Sequence, residues 1–287
     1  MDATFGRGGH TRAWLKQLDN TAKLIGIDRD PEAISAGQEL AQQDPRFSIV
    51  HARFSELKEV LVKLGVDKVQ GVLMDIGVSS PQLDNEKRGF SFLHDGPLDM
   101  RMDPSSGTSA AQLLADLDED ELVRILFTHG EEKFARRIAR AIQQNLPITR
   151  TVQLADIVDG VVPSKAQRVG KHPATKTFQA LRIAVNQEHE QLQQGLQSAF
   201  EALADGGRLA VISFHSLEDR VVKKFFSQLS KPPTLPRRLP IQTQHIQTPP
   251  GKLIGRAIKA SDTEVSNNPR ARSATLRVVE KQEGLTP

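Results

Sequence analysis

Apolar residues follow two rhythms along this chain. Over the first hundred positions, short apolar runs alternate with helical periodicities. Met1 to Phe5 reads as the end of a strand, and Leu24 to Ile27 ending at Asp28, Phe47 to Val50, and Gly71 to Met74 ending at Asp75 read as further strands. The intervening patterns predict a helix from about Thr11 to Leu18 and another from Pro31, a residue suited to the first helical position behind Asp30 as a cap. Such alternation is the signature of a parallel sheet with crossover helices. In an open α/β sheet, ligands bind beyond the carboxyl ends of the strands. Gly6 to His10, Asp28, Phe54 and Asp75 are therefore expected to share one crevice.

After Asp103-Pro104-Ser105-Ser106-Gly107 the alternation stops, and the chain reads as helix and loop up to Leu203. A helix carrying Leu192, Leu196, Ala199, Phe200 and Leu203 leads into a strand at Gly206 to Ser213. A Pro-rich loop from Pro232 to Pro250 and a final strand from Ala274 to Val279 follow. The expected organisation is an α/β, Rossmann-like domain in two parts, residues 1–105 and 188–287, interrupted by a helical insert over 106–187.

Composition narrows the chemistry. With 287 residues and 38% apolar content, the chain can bury a sizeable core. No run approaches the roughly 20 apolar residues of a membrane span, and the first residues lack the regions of a signal peptide, so a cytoplasmic protein without a membrane role is expected. The absence of cysteine excludes disulfides, thiolate metal sites and a cysteine nucleophile. The net charge of +3 only leans towards a polyanionic partner.

A Gly-rich turn between strand and helix lets the backbone approach a ligand closely, and Gly6-Arg7-Gly8-Gly9-His10 occupies that place. Asp28 ends the next strand about 20 residues on, where a carboxylate can accept both ribose hydroxyls of an adenosine cofactor. A nicotinamide dinucleotide competes for this reading, since Gly6, Gly8 and Thr11 imitate its fingerprint, with Thr weakening the match. A plain turn with a solvated acid is the bland alternative. Asp75-Ile76-Gly77-Val78-Ser79-Ser80-Pro81-Gln82 places a polar-Pro turn at the end of the fourth strand, where acceptors can hold an amine in line with a methyl donor.

These stretches resemble the MraW/RsmH family of 16S ribosomal RNA cytosine-N4 methyltransferases. The resemblance is carried by Asp2 to His10, Gly26 to Pro31, Asp75 to Gln82, Arg88 to Phe92 and Gly96 to Pro104, then His172 to Thr175, Phe178 to Ile183, Ser213 to Arg220 and Asn268 to Ser273. It implies S-adenosylmethionine as cofactor, with contacts at Gly8, Gly9, His10, Asp28, Phe54, Asp75 and Gln82, Phe54 lying against the adenine. Asp75, Ser79, Ser80 and Pro81 are the expected catalytic set shaping the amine site, and no metal is implied. The implied partner is small-subunit ribosomal RNA within the assembled subunit; oligomeric state stays open, a homo-oligomer included. Members carry a further N-terminal segment containing the start of the first strand, so a shortened chain with weakened cofactor binding is expected.

Three basic regions are candidates for RNA. A helix expected over Glu131 to Gln143 carries Phe134, Ile138, Ala141 and Ile142 on one face and Lys133, Arg136, Arg137 and Arg140 on the other, with Glu131 and Glu132 partly offsetting the charge. Lys165, Arg168, Lys171, Lys176 and Arg182 form the second region, Arg237 and Arg238 the third. His215 is read as a structural histidine without a carboxylate partner, and His10, Asp99 and Asp103 match no metal spacing. The missing cysteine favours the exocyclic amine over carbon-5, which needs a thiolate adduct. A dinucleotide-dependent oxidoreductase and an RNA-binding assembly factor with a weakened cofactor site remain the alternatives.

Overall fold

The computed structural model describes residues 1–163, 172–231 and 248–283. In chain order the elements are α1 (Gly9–Leu15), β1 (Leu24–Asp28), α2 (Pro31–Gln43), β2 (Phe47–His51), α3 (Leu57–Lys63) and β3 (Val69–Asp75). Then come α4 (Ser80–Asp84), α5 (Ala110–Asp116), α6 (Glu119–Gly130), α7 (Ala135–Gln144), α8 (Thr151–Val161), α9 (Thr175–Asn186) and α10 (Glu188–Ala202). The chain closes with β4 (Leu203–Ser213), α11 (Ser216–Ser230), β5 (Gly251–Leu253), β6 (Ile258–Lys259), α12 (Asp262–Asn267) and β7 (Thr275–Lys281). It divides into two compact units: Met1–Gly77 with Glu190–Pro287, and Val78–His189.

The first unit is built on a mixed α/β sheet. β1 pairs in parallel with β2, and β3 in parallel with β4; β7 runs antiparallel to β4 and carries β5 and β6 on its other edge. Met1 to Phe5 joins the two halves. Asp2 N–H donates to Ile25 O (2.8 Å) and Ile27 N–H to Asp2 O (2.8 Å), while Ala3 N–H donates to Leu73 O (2.9 Å). The segment therefore lies between β1 and β3, parallel to both, but it makes single bridges rather than a continuous ladder. Since these strands all run the same way, Phe5, Asp28, His51, Asp75 and Ser213 end at one edge.

Local sequence explains the flanking helices. Asp30 caps α2 by accepting from Glu32 N–H (3.0 Å), with Pro31 at the first turn. Gly37 lets α2 press onto β2, because a Cβ there would stand 2.7 Å from Ile49 Cγ1. One face of the sheet buries Phe5, Leu15, Leu24, Leu40 and Phe47; another cluster gathers Ile27, Leu57, Met74, Leu196, Phe200, Val211 and Phe226. Leu203, expected on a helix, opens β4 instead, and the expected helix at Thr11 to Leu18 runs from Gly9 to Leu15.

The second unit is helical, and it begins earlier than the expected residue 106. Phe90, Leu98, Met100 and Met102 lie outside any helix, yet they are buried with Leu114, Leu122, Ile138, Leu154 and Leu181. Asn186 on α9 holds this irregular stretch, accepting from Met102 N–H (2.8 Å) and donating to Met100 O (2.7 Å). Buried Arg88 donates to Met102 O (2.9 Å). Reciprocal caps open α5 and α6: Glu121 N–H donates to Asp118 Oδ1 (2.8 Å), and Gln112 N–H to Ser109 Oγ (3.3 Å). Among the described residues, no helix is long and apolar enough to cross a membrane.

Candidate cofactor and amine site

The turn after Phe5 is shaped by its glycines. Gly6 and Gly8 have φ of +56° and +76°, a region that L side chains rarely adopt, and a Cβ on Gly8 would stand 2.7 Å from the Phe5 ring. Gly6 N–H donates to Asp28 Oδ2 (2.7 Å), tying the turn to the end of β1. Asp30 N–H donates to the other oxygen, Asp28 Oδ1 (2.9 Å). Burial pushes the Asp28 carboxyl above the usual range, against the pull of the backbone donors of Asp30, Gly6 and Arg29. With about four lone-pair sites, the carboxylate keeps capacity for a further donor.

Asp75 closes β3 on the same edge. Its N–H donates to Thr4 Oγ1 (2.6 Å), and its Oδ2 lies 3.2 Å from His10 Nε2. The Asp75 hydrogen bond raises the His10 pKa above the ordinary imidazole value, opposed by burial. Among the described residues, Asp75 Oδ1 is a buried oxygen with no hydrogen-bond partner. Behind the turn lies Asp2, fully buried, which accepts from Thr11 Oγ1 (2.7 Å) and Thr4 N–H (3.2 Å). Burial raises its pKa as well. Asp2, Thr4 and Thr11 thus position the turn, a role that the sequence reading did not assign to them; an acid and a threonine alternating through an otherwise apolar strand end was the available signal.

Phe54 follows β2 in a short 3-10 turn, half-buried, its ring against Gly195 of α10. A Cβ at position 195 would collide with that ring. The sheet unit thus gathers Gly8, Gly9, His10, Asp28, Phe54 and Asp75 at the strand ends. Ser79, Ser80, Pro81 and Gln82 belong to the helical unit, where Ser79 caps α4, Ser80 and Pro81 open it, and Gln82 Oε1 accepts from Ser79 N–H (2.9 Å).

His215 differs from its reading. It does have a carboxylate partner: its Nε2 lies 2.8 Å from Glu218 Oε1, and the buried Glu218 also accepts from Phe214 N–H (3.0 Å) through Oε2. The pair closes the turn between β4 and α11. Among the described residues, no cluster of three or more acidic or histidine side chains could hold a metal.

The sequence profile of the MraW methylase family matches residues 1–282. This chain belongs to the MraW methylase family. Its relatives are close: one from Pseudoalteromonas atlantica is 52% identical over 98% of this chain and 91% of its own length, and one from Alteromonas mediterranea is 53% identical over 98% and 90%. A third, from Nitrosococcus oceani, is 51% identical over 98% and 90%. All three are named ribosomal RNA small subunit methyltransferase H. As an MraW methylase the chain is an S-adenosylmethionine-dependent methyltransferase, and the oxidoreductase reading falls away. The site fits that cofactor: a part-buried carboxylate at a strand end with spare acceptor capacity, beside a turn whose backbone leaves no room for a side chain at Gly8.

The basic regions fare unequally. Helix α7 starts at Ala135, because Glu131 adopts φ +48° at the end of α6 and breaks the path. Its buried face is Ala135, Ile138, Ala139 and Ile142 rather than the expected set. Lys133, Arg136, Arg137 and Arg140 are exposed. Glu132 offsets none of that charge at the surface, being buried and accepting from Phe134 N–H (3.0 Å). Arg182 is withdrawn from any RNA surface: it forks onto Glu188 (2.8 and 2.9 Å) with little exposure. Lys176 donates to Glu131 O (2.7 Å). Lys165, Arg168, Lys171, Arg237 and Arg238 lie outside the described residues, as does most of the expected Pro-rich loop.

Proposed function

We propose that this methyltransferase places a methyl group on N4 of a cytidine in 16S ribosomal RNA, acting on the assembled small subunit. The observation that carries the reading is the Asp75 end of β3, its backbone N–H held by Thr4 and its carboxylate by His10, at the strand edge that also bears Asp28. Supporting it, the close relatives are named for the small-subunit ribosomal RNA.

The bound cofactor supplies an electrophilic methyl group on a sulfonium. The chain's own task is positioning, because the N4 lone pair is delocalised into the base and must be brought towards that methyl. We assign Asp75, Ser79, Ser80 and Pro81 to the amine, and Gly8, Gly9, His10, Asp28, Phe54 and Gln82 to the cofactor. The amine would accept that methyl as the neutral nitrogen, with the sulfur leaving as the neutral thioether, and N4 would lose its proton afterwards, so these residues need only orient it and no strong base is required. Carbon-5 methylation is disfavoured by the absence of any cysteine to add to carbon-6. In the helical unit, the exposed Arg136, Arg137 and Arg140 suit phosphate contacts.

The test is a methylation assay on small subunits lacking the mark, followed by digestion and identification of the modified nucleoside by mass spectrometry. N4-methylcytidine is expected; a methyl on ribose, carbon-5 or adenine overturns the chemistry.

A further inference from the structure

The last strands of the sheet unit concentrate charge. Residues 251–281 hold seven Lys and Arg against three Asp and Glu, so this stretch alone carries more net positive charge than the +3 of the whole chain. Its path places that charge unevenly along β7. At the carboxyl end of β7, Arg208 pairs with Glu280 (2.8 Å) and Lys281 donates to Leu203 O (2.8 Å), so cations there meet acceptors. The amino end of β7 lies at the opposite edge of the sheet. Thr275 lies opposite Ser213, the last residue of β4, which puts this end at the edge where Asp28 and Asp75 also finish.

Three exposed cations gather there. Lys259 on β6 lies opposite Thr275, and its Nζ donates to Thr275 Oγ1. Arg270 and Arg272 lie on the 3-10 turn Pro269–Ser273, which runs straight into β7 and is fixed by Asn268 Oδ1 accepting from Arg270 N–H (3.2 Å) and by buried Ala271. Of the acids nearby, Asp219 takes Arg277 in a fork of 2.7 and 2.9 Å and also feels the charge of Lys259, while Asp262 and Glu264 sit in the first turn of α12. From β3 to β7 is two strand spacings, about 10 Å. That is a short step along an RNA chain.

We propose that Lys259, Arg270 and Arg272 bind the phosphates of the nucleotides flanking the methylated cytidine, the RNA strand crossing the sheet edge from β3 over β4 to β7. The inference rests on the RNA substrate proposed above and adds the surface that holds its neighbours. Cations on an edge strand also block pairing with other chains, the simpler role such residues can have.

The experiment compares the full chain, Lys259→Glu/Arg272→Glu, and Lys63→Glu/Lys58→Glu on α3, an equal charge change away from this edge. Methylation of unmarked small subunits is followed over a range of salt. The first pair is expected to lower kcat/KM for the subunit at least ten-fold, to leave the KM for S-adenosylmethionine unchanged, and to flatten the log–log salt dependence by about 1.4 for two single-stranded contacts. Equal behaviour of the two pairs overturns the proposal, as does self-association of the first pair with methylation intact. If that pair melts early, the milder Arg272→Gln decides by the same salt slope. Failure of the unaltered chain to methylate any RNA would instead overturn the substrate reading.

Discussion

The edge of the sheet and the basic face of α7, assigned above to the cofactor and to RNA, are built in opposite ways. At the edge, each group is fixed by bonds spanning long stretches of chain: Gly6 to Asp28, Thr4 to Asp75, His10 to Asp75, with the acids partly or wholly buried. On α7 the cations are exposed, and the one ion pair described there, Arg140 to Glu119 at 3.6 Å, is loose and well solvated. Buried, oriented acceptors recognise a small ligand by exact placement; exposed arginines recognise a polyanion by number and can shift with it. Single substitutions should therefore be severe at the first and mild at the second.

The largest effect is expected from Asp28→Ala, which removes a part-buried, oriented acceptor and should weaken S-adenosylmethionine binding by about 1.5–3 kcal/mol while leaving RNA binding nearly unchanged. Calorimetry returning the parent affinity would break the contrast on its strongest side. Next comes pH. Burial raises the Asp28 pKa in the free protein, so folding itself favours the protonated form, and this carboxylate costs stability above its raised pKa. Ribose hydroxyls donate to the charged form and pull that pKa back down. Cofactor affinity should accordingly be flat above the raised pKa and fall by up to about ten-fold per pH unit below it, with proton uptake on release; Asp28→Asn should abolish the dependence. A parent profile that is flat through this range would contradict the assignment. The smallest effect is expected on α7. Arg136→Glu with Arg140→Glu should cost RNA affinity several-fold and lower the salt slope by about 1.4–1.8, while cofactor affinity holds. An unaltered slope would make that face merely solvated.

What was legible in the sequence was whatever depends on spacing along one segment. The Gly6 to His10 turn, Asp28 and Asp75 followed from strand ends and their punctuation, and the interrupted α/β fold from where the alternation stopped. Three things were hidden. The anchoring of Asp75 by Thr4 and His10 joins residues 71 and 65 positions apart, a pairing that no local pattern encodes. The start of the helical unit was misplaced because Phe90 to Met102 has no periodicity to read, although its side chains fill that unit's core. The start of α7 was misplaced because Glu132 and Phe134 fit a helical pattern, whereas Glu132 folds back to accept from Phe134 N–H. The amphipathic rhythm was real, but the backbone broke it at Glu131.

The split between residues 77 and 190 also orders events in time. β3 gains its parallel neighbour β4 only after residue 203 has been made, with the whole helical unit synthesised in between. At a synthesis rate of roughly 5–20 residues per second, one side of β3 waits on the order of ten seconds for its partner. During that interval the helical unit already has every residue of its own core, while the nascent sheet presents an unpaired, apolar border. The unit encoded in the middle of this chain is therefore positioned to mature first, and the sheet edge, whose last strands arrive with β7, is the final part to be completed.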